Sequence, residues 1–269
     1  MKQINTANYT ITTFTTNDQS FLVTASLLEK DGHAFLINTA FTKTSALEIV
    51  AYLKANQLEL DEIFLIHGDP DYYFGAEVIK AAFPEAIIRA TKETQEHIVQ
   101  KVLGKLAVWS SQLGVDAPVN VVLPQAIEGN VINWQGVTLE MVGDSHRINL
   151  YDKDQKVMIG GIDTFDQAHV FLADSKTAEE MQTWAARLED LEQMDIAHLI
   201  PSHSNPESKF DKTALSFTKA YLEKTIQVES ESADSAAFMA AMNQAFPNLP
   251  NQGVLGLSAK VVMQEMPWG

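Results

Sequence analysis

Ile63-Phe-Leu-Ile-His-Gly-Asp-Pro-Asp-Tyr-Tyr-Phe-Gly75 is the stretch that decides how this chain folds. Its four leading apolar residues read as a short buried strand, which delivers His67 to the C-terminal end, where α/β proteins present ligand-binding groups. Asp69 and Asp71 follow at alternate loop positions, while Gly68, Pro70 and Gly75 fix a tight backbone path. An imidazole and two carboxylates this close can converge on one cation. The same residues also suit a solvated turn beside a core-edge histidine, and spacing alone leaves both readings open.

Upstream, residues 9–14, 21–28 and 33–38 read as strands, with a turn at Asp31-Gly32 between the last two. Ser45 and Glu48 form a capping-box pattern ahead of Leu47, Ile49, Val50 and Leu53, which recur at helical spacing. Downstream come a helix over 75–83, a strand over 86–90 and a long helix from Thr91 to about Gln112. The second half repeats the style. Strands are expected at 119–123, 131–134, 137–142, 148–151, 157–160 and 196–200, with a helix from the Thr177/Glu180 cap to about Met194. Two comparable halves of this kind suggest two sheets packed together with helices outside. One domain is expected over 1–269, ending in a helical extension from about 212 that divides into two helices near Asp234.

The net charge of −16 repels phosphate backbones and anionic lipid, so neither nucleic acid nor a membrane surface is an expected partner. A small-molecule substrate is: neutral, cationic, or an anion drawn in by a metal. The absence of cysteine excludes disulfides, thiolate zinc sites and cysteine nucleophiles, leaving His, Asp, Glu and Tyr as metal donors. The opening MKQINTANYTITTF has no apolar core of signal-peptide length, and no apolar run spans a bilayer, so a cytoplasmic location is expected.

A strand, the pattern H-x-H-x-D-H, a glycine and a helix form the hallmark of the metallo-β-lactamase superfamily, and residues 61–94 resemble it in order and spacing. Gly143-Asp-Ser145 with Ile148-Asn-Leu-Tyr151, the segment from Val157 to Asp174, and Ile200-Pro-Ser-His203 resemble its later landmarks. The resemblance implies an α/β fold, a four-layer αββα sandwich. It also implies a ligand set, and here the chain departs from the pattern. His67 stands at the first ligand and Asp71 at the motif aspartate, but Asp69 and Tyr72 replace two histidines. Asp144 occupies the third-histidine position, with His146 two residues beyond. Ile162 falls at the bridging aspartate, unless a one-residue slip brings Asp163 there. His203 is intact.

The implied metal ligands are therefore His67, Asp69, Asp71, Asp144, His146 and His203. Asp163, Asp166, His169 and Arg147 are expected around them. Asp71 would orient or deprotonate a metal-bound water, and Tyr72 would donate to the developing oxyanion. A carboxylate-rich set favours harder ions or iron, where a nitrogen-rich one favours zinc. Either one divalent ion (Zn, Fe or Mn) is held, or none is and Arg147 replaces it electrostatically. With an ion, the resemblance implies hydrolysis of a small ester, lactone or amide at a mononuclear site. The alternatives are a non-catalytic binding or regulatory member with a lost metal site, and a mononuclear iron oxidative enzyme. His97, among charged neighbours, is expected to be solvated. The tail from Met266 is apolar enough to cover a groove or a dimer face, which leaves a homo-oligomer open.

Overall fold

Each central strand of this protein is buried on both faces, and that requires a layer on either side. The computed structural model describes residues 1–268; Gly269, the last residue of the expected apolar tail, lies outside them. Seven strands form the first sheet in chain order: β1 (Lys2–Asn5), β2 (Thr10–Thr15), β3 (Thr24–Lys30), β4 (His33–Ile37), β5 (Glu59–Leu65), β6 (Ile87–Thr91) and β7 (Gln125–Ile127). The first four pair antiparallel, and β4 to β7 run parallel. Between the parallel strands lie α1 (Lys43–Ala55), the single turn α2 (Pro70–Tyr73), α3 (Ala76–Ala82) and α4 (Lys92–Leu113).

The second sheet contains β8 (Val131–Trp134), β9 (Val137–Asp144), β10 (Arg147–Asp152) and β11 (Val157–Ile159). Beyond the short β12 (Phe165–Asp166), its edge is completed by β13 (His198–Ile200), parallel to β11. β14 (His203–Ser204) pairs with β12 instead. Helices α5 (Ala178–Glu192), α6 (Thr213–Glu231), α7 (Ser235–Ala245) and α8 (Gln252–Val262) belong to this half.

Strand alternation sorts the side chains into three cores. Phe35, Ile37, Phe64 and Ile66 meet Ile132, Leu139, Leu150 and Ile159 between the sheets. Their neighbours Ala34, Leu36, Ile63 and Leu65 face Ile49, Leu53, Ile79 and Ile98 of the first helical layer. Met158 and Leu199 face Trp184, Leu188, Tyr221 and Phe238 of the second. The order helix, sheet, sheet, helix is the expected αββα sandwich. Among the described residues, no helix is long and apolar enough to cross a membrane.

Three local readings change. Thr42, not Ser45, caps α1, its hydroxyl accepting from Ser45 N–H at 3.1 Å. Residues 119–123 form no strand, because the Glu77 carboxylate takes the N–H groups of Val119 and Asn120. The chain after Lys212 makes three helices; Gly253 and Gly256 lower the intrinsic preference for α8, but Val254, Leu255, Ala259 and Val262 are buried. One glycine is sterically obligatory near the site. A Cβ on Gly75 would lie 2.0 Å from the Thr39 carbonyl oxygen, so only glycine lets the 67–75 loop cross the end of β4.

Candidate functional site

β5 ends two residues before His67, and the chain then turns at once into α2. Asp69 is the N-cap and Pro70 the first helical residue, a placement in which proline's missing N–H costs nothing. Tyr72 fastens this turn to the sheet, its carbonyl accepting from Thr39 N–H at 2.8 Å. Asp69 spends its side chain elsewhere: it makes no cap bond and instead accepts from Lys105 Nζ of α4 at 2.8 Å. His67 Nδ1 accepts from Asp69 N–H at 3.2 Å, and its ring lies 5.9 Å from that of His97. His97 is half-buried rather than fully solvated. It fills the space over Gly68, where a Cβ would come within 2.7 Å of its ring, and its Nε2 lies 3.9 Å from Asp69.

His203 arrives from β14 and stacks on Phe165 with ring centroids 4.7 Å apart. Its Nδ1 lies 2.9 Å from the Phe21 carbonyl, which can only accept, so Nδ1 carries the proton. Nε2 is then the acceptor, and the Tyr72 hydroxyl donates to it at 3.1 Å. Phe21 and Leu22 both hold positive φ, 61° and 57°, and this unusual backbone aims the Phe21 carbonyl at the imidazole. Asp71 Oδ2 lies 3.5 Å from His203 Nε2. Thus His67, Asp69, Asp71, Tyr72 and His203 are brought together, as the sequence leads one to expect.

The other candidates are not. Asp163 points away into two guanidiniums: Arg147 donates to it at 3.1 Å, and Arg187 donates to both of its oxygens at 3.2 Å. Arg147 also donates to Ser175 and lies 4.7 Å over the Trp184 ring. It neutralises Asp163 and makes no bond to the His67–Asp71 loop. Ile162 faces the site in the place where an aspartate was in question. Asp144 is exposed and ties its own turn by accepting from His146 N–H. His146 is exposed at the rim of a small cavity shared with His67 and His97. Asp166 accepts from Ser208, and His169 is bonded by Tyr221 and Gln252; both are buried structural links outside the cavity.

Burial sets the protonation states. It pushes the His67 and His203 imidazoles down to about 4, so both are neutral near pH 7. Burial also opposes ionisation of Asp69, but the Lys105 ammonium bonded to it outweighs this and holds the carboxyl below its usual range. At Asp71 the backbone N–H and the more distant Lys105 charge are outweighed. Burial, then the Asp69 charge, push it up to about 8. These shifts have opposite consequences for stability. The histidines' contribution is present above about pH 6.5 and is lost as pH falls toward 4, because the unfolded chain then binds more protons. The Asp71 contribution is present in acid and is lost as pH rises through 8, because the native state binds more. Stability is therefore expected to peak near pH 6.5 in thermal melts. Asp71→Asn should remove the alkaline decline, a gain of roughly 2 kcal/mol by pH 8. An unchanged alkaline limb would show that Asp71 is ionised throughout.

Above these groups lies a cavity of about 400 Å³. Asp69, Asp71 and His203 form its polar end, and Phe21, Phe41 and Trp109 form much of its wall. α4 contributes Lys105, Val108, Trp109 and Gln112, the i, i+3, i+4, i+7 stripe of one helical face. The C-terminal tail closes the far side. Trp268 Nε1 donates to Asp174 at 2.8 Å, and the ring packs edge-on against Phe171. The tail covers a groove of its own chain.

A divalent ion does not fit these donors as they stand. Lys105 takes Asp69, Tyr72 takes the one lone pair of His203, and the arginine pair takes Asp163. Among the described residues, no three His, Asp or Glu side chains are grouped to hold a metal. Lys105 was not singled out in the sequence; the signal was there only as its place on the Lys105–Trp109–Gln112 face.

The family profile described as "Metallo-beta-lactamase superfamily" matches residues 20–203. Solved structures with the same fold include a metallo-β-lactamase from Pontibacter korlensis (17% identity, 82% of this chain and 98% of that one, TM-score 0.58). Another, from Hirschia baltica, is 16% identical over 82% and 97% of the two chains, with a TM-score of 0.53. The DIM-1 metallo-β-lactamase is 16% identical over 82% and 95%, with a TM-score of 0.54. At such identities the likeness is one of fold. No curated protein matches the sequence.

Proposed function

The chain belongs to the metallo-β-lactamase superfamily, and from that membership we propose that it is a member working without a metal, a pocket protein that binds a small molecule. The observation that carries this reading is the 2.8 Å bond from Lys105 Nζ to Asp69. An ammonium stands where a metal's charge would be needed, and it satisfies the carboxylate that a metal would bind. His203 is closed off by the Tyr72 hydroxyl and Asp163 by two guanidiniums, which leaves Asp71 and His67 too few to hold an ion.

A second reading keeps hydrolysis of a small ester, lactone or amide. It is favoured by the gathering of His67, Asp71 and His203 at strand ends. In that reading an ion supplies a Lewis acid and an activated water. Asp71 would hold the water's proton, and Tyr72 would turn from His203 toward the substrate. The iron oxidative alternative needs the same rearrangement and has no observation of its own.

Thermal melts with excess Zn²⁺, Mn²⁺ or Fe²⁺ separate the two. A ligand at a hundred times its Kd stabilises the native state by about 2.7 kcal/mol. No rise in Tm is expected with any of the three ions. A rise of several degrees that His67→Ala and His203→Ala both abolish would replace the pocket reading with the hydrolase.

A further inference from the structure

The cavity is one cation short. Two carboxyl groups line it, Asp69 and Asp71, against one cation, Lys105; Asp174 and Arg147 line the neighbouring small cavity, and Asp163, buried and paired with Arg187, lies outside both. The two arginines are committed to Asp163, and Lys105 to Asp69. Asp174 accepts from Trp268 Nε1 at 2.8 Å. Asp71 is left over. It is 8% exposed and lines the cavity, yet among the described residues no side chain donates to its carboxyl. Its own backbone N–H is the one hydrogen-bonding influence on it, and His203 Nε2, 3.5 Å away, already accepts from Tyr72 and has no proton to give.

Much of the remaining lining is aromatic. Phe21, Phe41 and Trp109 pack on one another with ring centroids 5.3–5.4 Å apart, and all three face the cavity. Phe165, Phe171 and Trp268 add further rings. Aromatic faces attract a cation through their quadrupole, more strongly when water is excluded, whereas they offer nothing to an anion. The net charge of −16 favours approach of the same sign of ligand.

We propose that this cavity binds a small organic cation with an apolar or aromatic body, its ammonium against Asp71 and its body among Phe21, Phe41 and Trp109. The proposal rests on the metal-free reading of the same site. A neutral ligand would need only a hydrogen bond from Asp71, and an anion would have to pull Lys105 from Asp69. Of the three, a cation alone pairs with Asp71 as a carboxylate.

Three probes of one shape distinguish these cases: 2-phenylethylamine, 2-phenylethanol and phenylacetate, titrated calorimetrically into the full chain with metal content measured on the same sample. The amine is expected to bind roughly tenfold or more tightly than the alcohol, with phenylacetate weakest. Asp71→Asn should bring the amine to the level of the alcohol. Trp109→Leu should weaken the amine more than the alcohol, and this variant carries the test if Asp71→Asn does not fold. Equal binding of amine and alcohol, a preference for phenylacetate, or no binding of any probe overturns the cation assignment. In the first two cases a metal-free sample leaves the pocket reading standing. A stoichiometric metal in that sample removes the pocket reading itself, and the cation proposal with it.

Discussion

Lys105→Met is expected to destabilise the protein by roughly 2–4 kcal/mol, far more than a typical surface lysine. Removing one partner of a buried ion pair strands the other charge, at a cost of about 3–5 kcal/mol when burial is complete. Lys105 keeps 24% of its side chain exposed and Asp69 11%, which places this pair toward the lower end. The loss should be largest near neutral pH, where Asp69 is ionised, and should shrink in acid as that carboxyl takes up a proton. Adding Asp69→Asn to the methionine variant should recover much of the loss, since an amide carries no charge to strand. Urea melts of the two single variants and the double variant give the coupling. Simple additivity would mean that the 2.8 Å bond contributes nothing in solution.

Asp163→Ala is expected to cost about 3–5 kcal/mol. The carboxylate is 1% exposed and receives three hydrogen bonds from Arg147 and Arg187, whose side chains are 15% and 22% exposed. Its loss leaves two guanidiniums facing each other with no counter-charge. Arg147 retains Ser175 and the Trp184 face, so Arg187 is the more exposed to this penalty. Asp163→Ala combined with Arg187→Met should therefore be more stable than Asp163→Ala alone. Equal melts for the single and the double variant would show that the arginine pair is not held by Asp163.

Much of the architecture was legible because it rests on local patterns. The apolar run before His67, the Thr177/Glu180 capping box and the alternation of β4 each fix an element within its own few residues. The capping box is present with both of its reciprocal bonds. Failures arose where a distant partner decided the outcome. Residues 119–123 are apolar enough for a strand but find Glu77 rather than a neighbouring strand. α8 carries two glycines and forms because the core needs its apolar face.

The site divides in the same way. His67, Asp69, Asp71 and Tyr72 share one loop, so their convergence is written in their spacing, and His203 follows from the strand that ends beside them. Lys105 lies 36 residues from Asp69, and nothing local says that the helix turns that lysine inward. The half-burial of His97 is hidden for the same reason: its charged neighbours suggest solvent, while the absent Cβ of Gly68 makes room for one side of its ring. Arg147 is legible as a basic group that could stand in for a metal, but it pairs with Asp163 rather than with the acids of the loop. The one-residue choice between Ile162 and Asp163 is a matter of which way the chain leaves Gly161, where a Cβ would lie 2.0 Å from the Ile148 carbonyl.

Whether protein-borne cations have displaced the metal is tested most directly by elemental analysis of the wild-type chain expressed with zinc, manganese and iron in the medium and purified without chelator. Well under a tenth of an equivalent of any of the three is the expected content, because Lys105 and Tyr72 hold the donors an ion would need. One full equivalent, lost in both His67→Ala and His203→Ala, would contradict it.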